Sequence, residues 1–211
     1  FVGRRWLAEN VKAELEISDS TTINRGTTSF SSSSPSSSSG RFVVVHGDSG
    51  TGKSAFFCRI LDREFCEHEK GPWLHLHRRV LARHICTVRD HQSLEPDEWA
   101  RSLAAQIFLA LSDVGKIKEA LDVGGHENTE MFAECVEKET SASKILDNWV
   151  IPMLRIADLG ILNGLDTIWI DSLDEALTLR VLKGEGSKGR TIVNLLINFK
   201  DKWPPWIRFA A

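Results

Sequence analysis

Residues Gly47-Asp-Ser-Gly-Thr-Gly-Lys-Ser54 carry the pattern Gly-x-x-x-x-Gly-Lys-Ser in full. Glycines let a backbone turn so that successive N–H groups converge on phosphate oxygens, and a helix opening behind them adds the positive end of its dipole. In this reading Gly47, Asp48, Ser49, Gly50, Thr51 and Gly52 form the cradle. Lys53 reaches the β- and γ-phosphates of a nucleotide, and the Ser54 hydroxyl ligates Mg²⁺. With glycine near 7% of ordinary composition, the pattern arises by chance in roughly one chain of this size per hundred. Its setting lowers that further, because the motif follows an apolar run and opens a helical pattern.

A phosphate site of this kind needs a carboxylate at the end of a neighbouring strand to orient Mg²⁺ and its waters. Leu165-Asp-Thr-Ile-Trp-Ile-Asp171 supplies one, with Asp171 on the magnesium side through a water. Asp174 and Glu175 follow, and either could orient or deprotonate an attacking water. The competing reading of the pair is a helix N-terminus, where acidic residues are common. Other chemistry-bearing residues lack partners. His75-x-His77 falls in one strand candidate and Cys86 in another, with no second ligand pair to complete a metal site. Asn198-Phe-Lys-Asp201 has its lysine one place too late for a guanine-reading motif, and Lys183 to Arg190 reads as a flexible loop.

The elements that must position these groups alternate. A helix is expected over Arg5 to Glu16, where Trp6, Val11 and Leu15 recur at helical spacing. Ser29 to Ser39 is almost all serine and reads as a disordered insertion. A buried-type strand over Arg41 to His46 then feeds the glycine loop and a helix over Ala55 to Glu67. Val80 to Val88 reads as a strand, and Glu95-Pro-Asp-Glu98 as an acidic first turn leading into a helix over Trp99 to Leu111. Further helices are expected over Glu130 to Glu139, Ser143 to Leu159 and Thr191 to Asp201. Strands are expected over Leu165 to Asp171 and from Trp206 to Phe209, behind a rigid Trp203-Pro-Pro-Trp206 turn. This rhythm predicts an α/β fold, a mostly parallel sheet covered on both faces.

Composition fits one globular domain: 211 residues, 42% hydrophobic and 26% charged, with a net charge of −3. No apolar run approaches the roughly 20 residues of a membrane span. The charge lacks the basic excess of a nucleic-acid binder, so no nucleic-acid partner is expected. Four scattered cysteines without a CxxC pair, and no secretory signal, point to a reducing, cytoplasmic setting.

Taken together, the motifs resemble those of the NACHT-like signal-transduction (STAND) P-loop ATPases, including the TANC-type proteins associated with ankyrin repeats. Phe1-Val-Gly-Arg4 resembles the segment that precedes the loop in that group, Gly47 to Ser54 its Walker A loop, and Ile170-Asp-Ser-Leu-Asp-Glu-Ala-Leu177 its extended Walker B motif. Ala82 to Cys86 and Trp99 to Ile107 are similar to the strand and helix that follow. Pro204 to Phe209 resembles the approach to the sensor strand. The resemblance implies a three-layer sandwich of the additional-strand type, with the sensor strand between the loop strand and the Walker B strand. It implies that Val2 to Arg4 lie near the nucleotide, and that bound ADP or ATP sets an off or on state governing self-association. Three segments follow from this: 1–28, the FVGR segment and helix; 29–40, the insertion; and 41–211, a core expected to lack its last strand as a piece of a longer chain. Protein partners would act through repeats outside it.

The leading expectation is therefore an ATP- and Mg²⁺-binding domain in which slow hydrolysis acts as a switch. A nucleotide-holding scaffold without hydrolysis is the alternative. A P-loop kinase fits less well, since no arginine-rich lid is visible.

Overall fold

The computed structural model describes residues 4–23, 42–48, 50–116, 129–139, 141–157, 162–182 and 191–211. The serine-rich insertion, Phe1 to Gly3, Ser49 and the loop expected over 183–190 lie outside the described residues. Helix α1 (Arg5–Ile23) precedes strand β1 (Phe42–Val43), helices α2 (Lys53–Leu61), α3 (Arg63–Glu69) and α4 (Gly71–Arg78), and strand β2 (Val80–Ile85). Helix α5 (Pro96–Asp113) follows a 3₁₀ turn, His91–Leu94. After α6 (Thr129–Lys138) come α7 (Ala142–Ile145), a π-turn (Leu146–Val150) and α8 (Ile151–Ile156). Strand β3 (Thr167–Asp171), helices α9 (Leu173–Leu182) and α10 (Ile192–Asn198), and strand β4 (Arg208–Ala210) complete the order.

All four strands are parallel and run β1-β4-β3-β2 across the sheet. The last strand in the chain thus lies between the first and third. Phe42 pairs with Phe209 and Val43 with Ala210, while Thr167 pairs with Arg208 and Trp169 with Ala210. Successive side chains of a strand leave opposite faces, and β3 shows the consequence. Ile168 and Ile170 join a core with α5, α7, α8 and α10, whereas Trp169 joins a second core with α1, α2 and α4. Helices therefore cover both faces of the sheet, as the alternating sequence pattern predicts. Ala8, Val11 and Leu15 are buried in the second core, so α1 is built into the same body as the sheet.

Several expected elements differ. The helix expected over 55–67 breaks at Asp62, whose carboxylate accepts the Phe65 N–H at 3.0 Å and caps α3. His75 and His77 lie in helix α4, not in a strand. Leu74 and Leu76 suggest a period of two, but burial of Trp73 and Leu76 follows helical spacing behind Pro72. Strand β2 ends at Ile85, leaving Cys86 outside it, and Thr87 to Asp90 form a turn closed by an antiparallel bridge. Pro152 explains the π-turn before α8, since a proline inside a helix removes one N–H and crowds the preceding turn. Strand β1 is shorter than expected, although the Val45 N–H still donates to the Ala211 carbonyl at 2.5 Å.

Charge organises the end of the sheet where β3 and β4 begin. Asp166 is 1% exposed and is held between two arginines. Arg79 donates to both of its carboxylate oxygens, through Nε at 2.9 Å and through Nη2, while Arg208 Nη1 donates to Oδ2 at 2.5 Å. Thr167 Oγ1 adds a bond of 2.8 Å to Oδ1. Strand β2 lies at an edge, and there Gln106 of α5 satisfies both backbone groups of Arg83, accepting from its N–H and donating to its carbonyl at 2.9 Å each.

Candidate functional site

The glycine loop joins β1 to α2 at the C-terminal end of the parallel sheet, the end where ligands of open α/β sheets bind. Gly52 stands at the N-terminus of α2 with φ +82°, a conformation that L side chains rarely adopt. A Cβ there would also come within 2.7 Å of the Arg4 guanidinium, so Arg4 packs directly over the loop. At Gly47 a Cβ would meet Thr51 Oγ1 at 2.9 Å. That hydroxyl is in place because it donates to the Asp48 carbonyl at 2.8 Å. No side chain caps α2, so its first N–H groups remain directed at the loop. Lys53 folds back across the loop, and its Nζ donates to the carbonyls of Gly47 at 2.6 Å and Asp48 at 3.2 Å.

A cavity of about 360 Å³ opens beside this loop. Gly47 and Lys53 line it from one side, Asp171, Ser172 and Asp174 from the other, and Trp169 forms part of its apolar floor. Trp169 is fixed there by the rings of Phe56 and Phe57 of α2, with centroids at 6.4 and 6.2 Å. Asp171 ends β3 and is 8% exposed. Behind it Ser172 takes φ +56°, and α9 starts at Leu173 with Asp174 and Glu175 in its first turn. Those two adjacent carboxylates part company. Asp174 lines the cavity, whereas Glu175 Oε2 accepts the Val88 N–H at 2.7 Å, in the turn behind β2. Cys86 records how tightly the acids are gathered. Burial first, then the charges of Asp171, Glu175 and Asp174, push its thiol up to about 12.

The structure thus brings Gly47, Lys53, Asp171 and Asp174 around one cavity and sets Arg4 against Gly52. Ser54 is exposed in the first turn of α2, and Asp48, Gly50 and Thr51 lie in the loop itself. Val2 and Ser49 lie outside the described residues. Sequence reasoning missed Ser172, Leu177 and Val193 as lining residues. An Asp-Ser step after a buried strand hints at the first; the other two come from helices whose placement no local pattern reveals. Among the described residues, no cluster of three or more His, Cys, Asp or Glu side chains is disposed to hold a metal ion alone. No helix among them is long and apolar enough to cross a membrane.

Fold and site define an α/β protein with an all-parallel, four-stranded sheet and a glycine loop facing a strand-end carboxylate. The chain belongs to the family described as Nephrocystin 3, N-terminal, which matches residues 25–210. No curated protein and no solved structure matches the chain. The family match leaves out all of α1 (Arg5–Ile23), although that helix contributes to the core beneath the loop.

Proposed function

We propose that this chain is the nucleotide-binding core of a NACHT-like STAND P-loop ATPase, which takes ATP or ADP with Mg²⁺ and uses slow hydrolysis as a switch. One observation carries the reading: the lysine of the glycine loop and the carboxylate ending β3 line the same cavity at the C-terminal end of the sheet. Insertion of β4 between β1 and β3 supports the additional-strand type of P-loop sandwich. ATP is preferred over GTP through the family resemblance and the lack of a usable guanine-reading motif.

In this reading the loop amides and the open end of α2 receive the phosphates. Lys53 exchanges its two carbonyl partners for β- and γ-phosphate oxygens, a stronger interaction because the acceptors are charged. Ser54 and Asp171 hold Mg²⁺, the aspartate through a water, as suits a cation that prefers few carboxylates and several phosphate or water oxygens. When bound, Mg²⁺ neutralises charge that develops on the phosphates. Asp174 lines the cavity and is positioned to orient a water. Arg4, together with Val2, belongs to the nucleotide's surroundings. Partners beyond nucleotide, namely repeats outside this chain and a second copy of it, belong to the same proposal, as does a cytoplasmic setting. No nucleic acid is among them.

Equilibrium binding of ATP with Mg²⁺, measured by isothermal titration calorimetry, tests the site. Lys53→Ala weakens binding by about tenfold or more, the loss of a charge-assisted contact. Equal affinity in the variant sinks the assignment. Phosphate release that scales with protein concentration separates a switch ATPase from a nucleotide-holding scaffold. The scaffold reading draws support from Glu175, whose carboxylate is engaged by Val88.

A further inference from the structure

Glu175 turns from the cavity to the backbone of another loop. Its Oε2 accepts the Val88 N–H at 2.7 Å, across 87 positions of sequence. The turn it holds is a stiff unit. Thr87 N–H donates to Ser93 Oγ at 2.9 Å, Ser93 Oγ donates to the Asp90 carbonyl at 2.7 Å, and Asp90 Oδ1 accepts the Gln92 N–H at 3.1 Å. Displacement at Val88 is therefore passed to the 3₁₀ turn, and through the Trp99 N–H bond to Glu95 into the start of α5. Neighbouring residues of a helix project about 100° apart, which is why Asp174 and Glu175 meet different surroundings.

Resting on the reading of the cavity as a Mg²⁺-nucleotide site, we infer that Glu175 is a positioning residue: it latches the Thr87–Asp90 turn to the site and releases Val88 when Mg²⁺ and nucleotide are bound. A backbone N–H offers only a partial charge, whereas a divalent cation beside Asp171 offers the largest local charge in the site and draws the third carboxylate toward it. Asp174, already at the cavity wall, needs no such movement.

Amide hydrogen exchange at Val88, followed by solution NMR with and without ATP and Mg²⁺, tests this, with ATP affinity measured on the same samples. In the wild-type chain, nucleotide quickens Val88 exchange by about tenfold, the loss of a hydrogen bond to a charged acceptor. Glu175→Ala exchanges fast in both states. Glu175→Gln still accepts from Val88 through its amide oxygen but carries no charge for the cation to attract, so it stays slow in both states. A wild-type response to nucleotide that Glu175→Gln abolishes is a result a merely structural bond would not give. Val88 exchange that is unchanged or slowed on nucleotide binding overturns the inference, as does a Glu175→Gln chain that responds like the wild type. Where ATP binds and Val88 does not respond, only the latch fails. Where ATP does not bind, the nucleotide reading falls and takes the latch with it.

Discussion

Asp166→Asn removes the carboxylate charge held between Arg79 and Arg208 while keeping the size of the side chain. Its cost follows from burial. Asp166 is 1% exposed and Arg208 is 4% exposed, so water cannot replace the lost carboxylate, and burial already holds the Arg208 guanidinium below its ordinary pKa. Breaking one side of a buried ion pair costs about 3–5 kcal/mol, because the remaining charge is left uncompensated. For a domain of this length that lowers the thermal midpoint by about 6–20 °C. Differential scanning calorimetry gives the midpoint directly. Glu134→Gln, which breaks an exposed pair with Lys138 on α6, is the control and leaves the midpoint without measurable change. A fall of less than about 2 °C for Asp166→Asn refutes the reasoning, since it would mean that the two arginines are solvated or that neighbouring groups replace the carboxylate. The Asp166 backbone carbonyl accepts the Arg208 N–H at 2.9 Å, a bond that the side-chain substitution leaves in place.

Other outcomes follow from strain and burial. Ser172 holds φ +56°, so Ser172→Gly relieves a left-handed backbone and, after the extra chain entropy of glycine, raises stability by about 0.5–1 kcal/mol; a lower urea midpoint would reject this. His84 is held below its ordinary value of 6.5 by burial, partly opposed by the Ser93 carbonyl 2.6 Å from Nε2 and by Asp90. The unfolded chain therefore binds a proton below 6.5 that the folded chain refuses. Stability contributed by His84 is complete above 6.5 and is lost as pH falls from there toward the folded value. His84→Gln, which can still donate to Ser93, flattens the acid side of the profile; a wild-type and variant difference that is the same at neutral and at mildly acidic pH would remove the argument.

What the sequence disclosed and what it hid divide along sequence separation. The loop at 47–54 and Asp171 were legible because each is a short string whose chemistry and strand or helix setting lie within a few residues. Strand and helix alternation gave the parallel sheet for the same reason. Helix α4 was misread because Leu74 and Leu76 alternate locally, and only packing against α1 and α2 reveals that Trp73 and Leu76 form the buried stripe. The different surroundings of Asp174 and Glu175 were beyond local reading, since the partner of Glu175, Val88, is 87 positions away. Arg79, Asp166 and Arg208 meet across separations of 87 and 42 positions, and neither spacing has a sequence signature.

Gln106 alters what the sheet can become. A bare strand edge invites further strands, because its amides and carbonyls seek partners. On the β2 side, the glutamine occupies both groups of Arg83, and an incoming strand must evict it first. On the β1 side, Phe42 and Val44 stand exposed beside the glycine loop. Among the described residues the two margins are thus unequally guarded: the β2 side by Gln106, the β1 side by no comparable side-chain clamp that bonds both backbone groups of one residue.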